Sequence, residues 1–300
     1  MMLNRRVLSC VGCMGLIASA GMTGAWNPPA STNAKEPKAT YATGSGSAGR
    51  TNDESGSVSA DQALARLMEG NARYVANIAE YPNTGRLRRE EVAAGQHPFV
   101  TVLSCADSRV PVEYIFDQGI GDTFVIRVAG NVCGTNEAGT IEYGVEHLKT
   151  PLLVVMGHSA CGAVTAAATN AEVSGNVAAL VSHIKPAVAE ASHNHPEMSG
   201  KDLVPTAIES NVFQSIAELI AESAPVREAV ERKDLKIVGC VYDIETGYVR
   251  WLGKHPEQDG LIAAANAGGT EALAGAAEEK EGADAVQVEA AAKASHGSEH

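Results

Sequence analysis

The chain is short of positive charge, short of cysteine and without a long apolar run. Lysine and arginine total 23 against 36 aspartates and glutamates, a formal charge of −13 over 300 residues. That balance repels nucleic acid and anionic membrane surfaces, so neither is an expected partner. The excess is uneven: residues 254–300 carry nine acids against three lysines in Ala- and Gly-rich order, an acidic low-complexity tail. No stretch reaches the roughly 20 apolar residues of a membrane-crossing helix, so no stable span is expected. The nearest candidate, "VLSCVGCMGLIASA", follows Arg5 and Arg6 and ends on Ala18-Ser19-Ala20. It reads as an export signal over 1–25. The paired arginines fit the twin-arginine route as well as a plain secretory one, and the expected location is periplasmic.

Cysteine scarcity excludes a second class. Of six cysteines, Cys10 and Cys13 fall in the leader, leaving Cys105, Cys133, Cys161 and Cys240. Their spacing resembles no small disulfide scaffold, and a domain of this size builds a core without staples. Cys133 and Cys240 fit buried thiols behaving as small hydrophobes. There is no internal repeat.

What is present divides the chain. Residues 26–57 are rich in Ser, Thr, Gly and Ala with no apolar period, a linker. Ser59 is placed to cap a helix whose apolar positions Ala63, Leu64, Leu67, Met68, Tyr74 and Val75 share one face. A short helix is expected near 88–94. From 99 onward, strand-like runs at 99–104, 122–128, 151–157 and 235–243 alternate with helical patterns at 136–149, 160–169, 176–191 and 201–220. Near-continuous apolar strands between helices predict an α/β fold, a mostly parallel sheet covered on both faces. "YDIETGYVRWL" predicts a closing hairpin turning at Thr246-Gly247, which sets the end of the domain (58–253) ahead of the tail (254–300).

In such folds chemistry gathers beyond the carboxyl ends of parallel strands. Cys105 follows one strand, His158 another, and Cys161 opens the next helix. Two thiolates and an imidazole are donors zinc prefers, and three ligands leave a fourth position open. Two thiolates neutralise the ion, so a nearby cation or hydrogen-bond network must restore its electrophilicity. Asp107 is close enough to bind the metal or to accept a hydrogen bond from its water, and Arg109 can hold that carboxylate in a fork. The Gly162 N–H, in the first turn of the helix, can face a developing anion. An oxidised Cys105–Cys161 pair is the alternative that an exported location allows. His147 and His183 fall on expected helices without convergent partners, His193 and His195 in an expected solvated loop, and His296 and His300 in the tail.

"CADSRVP" followed by "HSACGA" resembles the β-class carbonic anhydrases, whose hallmark is CxDxR and then HxxC. The likeness runs over residues 60–253, through "ALARLMEGNARYV", "FDQGIGDTFVIRVAGN" and "GTIEYGVEHL". The resemblance implies a lyase interconverting CO2 and bicarbonate, with one Zn2+ per subunit on Cys105, His158 and Cys161. Asp107 and Arg109 would form the catalytic dyad, with Asp107 a fourth ligand in a closed state. It implies four parallel strands and a fifth, in a homodimer or dimer of dimers whose N-terminal helical arm, 59–76, embraces the partner. Gln96, nine residues before Cys105 as in plant-type members, would donate to substrate across that interface. Phe124, Ala129 and Tyr143 fall at pocket-lining positions. Val102 stands where members with a non-catalytic bicarbonate site carry tryptophan, which implies that this pocket is absent. Two alternatives are a carbon disulfide or carbonyl sulfide hydrolase on the same fold and a non-enzymatic zinc-binding module.

Overall fold

The computed structural model describes residues 58–268. The expected leader and the linker to 57 lie outside the described residues, as does the tail from 269. In chain order the elements are α1 (Ala60–Val75), α2 (Arg86–Val92), β1 (Val100–Ser104), α3 (Val112–Ile115), β2 (Thr123–Arg127), α4 (Thr135–Glu142) and β3 (Leu152–His158). They continue as α5 (Gly162–Ala168), α6 (Gly175–Asn194), α7 (Val204–Glu222), α8 (Ala224–Glu231), β4 (Lys236–Tyr242) and β5 (Val249–Gly253). A helix α9 follows over 258–268.

The strands form one sheet in the order β2-β1-β3-β4-β5, parallel except for the antiparallel β4–β5 pair. Side chains alternate across it. Leu103, Leu153, Val155 and Ile237 pack with α4, α7 and α8 on one face; Val102, Val154, Met156 and Cys240 pack with α1 and α3 on the other. Both faces being covered explains why β1 and β3 are buried at every position. Val102 is one of these core residues, fully enclosed.

Ser59 caps α1 as expected: its hydroxyl accepts from the Gln62 N–H at 3.2 Å while the Gln62 side chain accepts from the Ser59 N–H at 2.9 Å. The helix lies on its own sheet through Ala63, Leu67 and Gly70, leaving Met68 and Val75 exposed on its outer side. Gly70 is required there, since a Cβ would sit 1.8 Å from the Phe116 carbonyl oxygen. The helix expected to end at 220 runs to Glu222 and is followed by α8, which Ser223 caps and Pro225 opens. The packed chain also passes the boundary expected at 253. Ile262 of α9 is buried beside the α7 and α8 side chains, and Asn266 bonds Arg227 and Glu231.

Candidate metal centre

The sheet order makes the site. From β1 the chain steps to β2 on one side and then returns past β1 to β3 on the other, so a crevice opens between the carboxyl ends of β1 and β3. Ser104 pairs with Met156, which brings Cys105 and His158 to adjacent strand tips. Ala160, at φ +54, turns the chain so that Cys161, the N-cap of α5, faces back. The ligand atoms of Cys105, His158 and Cys161 all lie within 4.8 Å of one another, and all three residues are buried.

The tautomer of His158 suits a ligand. Its Nδ1 lies 2.9 Å from the Ser159 carbonyl, so Nδ1 carries the proton and donates. Nε2 then keeps its lone pair, and it is buried with no hydrogen-bond partner. A buried nitrogen left bare beside two thiols costs free energy unless something accepts its lone pair. The sulfurs are equally prepared. The Cys105 thiol is drawn down, chiefly by donation from the Cys161 thiol; burial opposes this, while the backbone N–H groups of Gly130 and Asp107 add to it. Cys161 is pushed up in turn by that donation and by burial, against the Ala163 and Val164 N–H groups that face its sulfur. By contrast Cys133, with no donor, is pushed up to about 12 by burial. Soft, convergent, buried and hydrogen-bonded, the donor set fits zinc and leaves one tetrahedral position to solvent.

Beside that position sits Asp107. Its Oδ1 accepts from the Arg109 N–H and Nε, both at 2.9 Å, and Oδ2 accepts from Nη2 at 2.7 Å. This fork holds the carboxyl well below the usual carboxylate range against partial burial. Oδ2 lies 4.0 Å from His158 Nε2. Arg109 Nη2 also reaches the Ala160 carbonyl at 3.5 Å, tying the dyad to the ligand loop.

Several residues that hold this geometry were not legible as site residues. Arg127, ending β2, donates through Nε to the Cys105 carbonyl at 3.0 Å and through Nη2 to that of Asp107. The Gly130 N–H donates to Cys105 Sγ at 3.2 Å. Asn211 and Ser215 on α7 hold the carbonyls of Gly130 and Asn131 at 2.8 and 2.9 Å.

The expected pocket residues separate into two groups. Ala129 stays beside Gly130 at the metal end, and Gly162 is exposed at the start of α5. Gln96 and Phe124 lie toward the opposite end of the sheet. Gln96 is exposed ahead of β1, and Phe124 pairs with Thr101, about 13 Å along the strand from Cys105. Tyr143 stacks on Phe124 with ring centroids 5.9 Å apart, and His147 stacks on Tyr143 at 5.1 Å, a partner its sequence context did not suggest. A single protomer therefore does not bring Gln96, Phe124 or Tyr143 to the cysteines, because Phe124 and Tyr143 pack together at the amino end of β2 and Gln96 precedes β1.

Comparison with known proteins agrees with this geometry. The family model for carbonic anhydrase matches residues 100–249. Carbonic anhydrase 2 of Mycobacterium tuberculosis is 40% identical over 185 residues, spanning 60% of this chain and 87% of its own length. Among solved structures, the β-carbonic anhydrase CafA of Aspergillus fumigatus has a TM-score of 0.55 at 27% identity, covering 68% of this chain and 95% of its own. A structure of the tetrameric β-carbonic anhydrases of Sordaria macrospora has a TM-score of 0.53 at 26% identity, over 64% of this chain and 97% of that one. The chain belongs to the β class of the carbonic anhydrase family.

Proposed function

We propose that this protein is a zinc lyase interconverting CO2 with bicarbonate and a proton, and that Cys105, His158 and Cys161 hold the ion. The observation carrying this is the convergence of three buried donor atoms within 4.8 Å, beside a carboxylate already gripped by an arginine. Zinc there supplies a Lewis acid that makes water a nucleophile near neutral pH, a behaviour for which carbonic anhydrases are the standard example. Asp107, ionised and locked by Arg109, can accept a hydrogen bond but not donate one, so it orients the attacking water with its lone pair toward CO2. The His158 imidazole, its proton held on Nδ1 by the Ser159 carbonyl, presents the Nε2 lone pair that would hold the ion. Gly162 offers an N–H at the rim for the charge developing on the product.

The substrate pocket is completed by a second copy of the chain. Gln96, ahead of β1, and the Phe124–Tyr143 pair at the amino end of β2 would be supplied to the partner's metal group, with the Gln96 amide donating to a substrate oxygen. Exposed Ile78, Tyr81 and Tyr114 are consistent with a covered face, as are Met68 and Val75 on the outer side of α1, the arm expected to embrace that copy. Export through the leader of residues 1–25 rests on its Arg5-Arg6 start and small-residue end.

Metal analysis with stopped-flow CO2 hydration tests the reading. About one zinc per chain and rapid hydration, abolished by chelation and restored by zinc, are expected. A folded, metal-free chain with Cys105 bridged to Cys161 would overturn it.

A further inference from the structure

The turn at residues 129–131 uses residue types suited to left-handed backbone. Gly130 lies at φ +70 and Asn131 at φ +45, two consecutive left-handed residues between β2 and α4. At Gly130 a side chain would be strained by the positive φ, and its Cβ would approach Ile184 Cδ1 to 2.7 Å. At Asn131 that conformation carries a modest cost, which the surroundings must offset. Two buried side chains on α7 do so. Asn211, 1% exposed, donates through Nδ2 to the Gly130 carbonyl at 2.8 Å. Ser215, one helical turn on, donates to the Asn131 carbonyl at 2.9 Å. Asn211 Oδ1 has no partner, so the hydrogen bonding of this buried side chain runs through its donor end. What the turn delivers is one N–H, that of Gly130, aimed at Cys105 Sγ from 3.2 Å.

We propose that Asn211 is a positioning residue for the metal centre: by fastening the Gly130 carbonyl from α7, it holds the Gly130 N–H on the Cys105 sulfur. The inference rests on the reading that Cys105, His158 and Cys161 hold zinc. An N–H donated to a thiolate withdraws electron density that the sulfur would otherwise give the ion, and it fixes the sulfur's direction. Without the fastener the turn relaxes and the sulfur loses both.

The test compares Asn211→Leu and Asn211→Ala with Asn71→Leu, a buried asparagine on α1, which packs on the other face of the sheet from α7. Zinc dissociation constants are measured by chelator competition. The thiolate-to-cobalt absorption of the Co2+-substituted proteins is recorded beside the circular dichroism of the zinc-free forms. The Asn211 variants are expected to bind zinc about 10- to 100-fold more weakly and to shift the cobalt band, with Asn71→Leu unchanged in both. Native-like zinc affinity with an unmoved band in the Asn211 variants overturns the proposal. So does an equal loss in Asn71→Leu, or the failure of both Asn211 variants to fold, since either assigns Asn211 to stability alone. A native chain that binds no zinc instead overturns the reading beneath.

Discussion

Asn71→Leu isolates what attaches the first helix to the domain. The Asn71 side chain is 4% exposed and makes three bonds: Nδ2 donates to the carbonyls of Ile115 at 3.1 Å and Gly247 at 2.9 Å, and Oδ1 accepts from the Val249 N–H at 3.0 Å. One side chain thus joins α1 to the end of α3, to the β4–β5 turn and to β5 itself. Leucine has nearly the same volume and no polar atoms, so it leaves three buried backbone groups bare and excludes water from them. Each such group costs about 1–3 kcal/mol, offset by about 2 kcal/mol from the added apolar burial. The net loss is about 1–7 kcal/mol, about 4 at the middle of the range, a large share of a typical folding stability of about 5–15 kcal/mol. For a domain of this size a loss of about 4 kcal/mol lowers Tm by about 8–16 °C. Urea unfolding followed by circular dichroism, at two protein concentrations, reads it directly, with the denaturant slope expected to hold. A loss under about 1 kcal/mol would refute the accounting. A loss that vanished on raising protein concentration would show that α1 is secured by a partner rather than by its own sheet.

Three further outcomes follow from the site. Cys161→Ala should lose both zinc and CO2 hydration, while Asp107→Asn should keep its zinc and lose about 100-fold or more in kcat/KM, because an amide can turn a donor toward the attacking water. Undiminished hydration by the Asn variant would remove Asp107 from the mechanism. Mixing inactive Gln96→Leu and Asp107→Asn chains under exchange should restore about a quarter of native activity, since half the dimers then hold one intact site; no recovery would place Gln96 within its own subunit's pocket. In acid, Asp117 should matter. Its buried carboxyl, despite the burial that opposes ionisation, is held below the ordinary value by the Glu80 N–H, by Arg73 at 2.6 Å and by the Tyr81 N–H. A folded pKa below the unfolded one means its stabilisation is complete above about pH 4 and fades as pH falls toward the folded value. The stability of Asp117→Asn should accordingly decline less steeply than native below pH 4 in urea titrations.

The sequence carried the metal group because its signals are local. A strand's end can be read from where an apolar run stops, and Cys105 and His158 each sit at such a stop; only their adjacency needed the sheet order, which the alternation with helices anticipated. The capped start at Ser59 and the turn at Thr246-Gly247 were legible for the same reason: each is decided within a few residues. Arg127 and Asn211 were not, since what makes them matter is a carbonyl 20 or 81 residues away in sequence. The start of α8 was marked by Ser223 and Pro225, yet the apolar run over 201–220 drew attention from it. Residues 258–268 were absorbed into the acidic tail because Ala and Gly dominate them, and the burial of Ile262 is a tertiary fact. Phe124 and Tyr143 carry no mark in the sequence of lying a strand's length from the cysteines.

Two thiolates cancel the charge of a divalent cation, so this donor set, taken alone, makes a poor Lewis acid. The missing electrophilicity has to come from the protein, and the structure shows where. Cys105 Sγ accepts from the Gly130 N–H, next to the Cys105 carbonyl that Arg127 clamps, and the Ala163 and Val164 N–H groups that open α5 temper the upward push on the Cys161 thiol. Each sulfur therefore shares its charge with backbone donors before any ion shares it, which moves the pair from full thiolate donation toward that of weaker, more neutral ligands. Arg109 adds a positive charge at the rim but spends it on Asp107, so its contribution to the metal is indirect. The order of α5 directly after Cys161, and of the left-handed turn directly after β2, is then a requirement of the chemistry. A CxDxR…HxxC pattern on a scaffold without those N–H groups would activate water poorly.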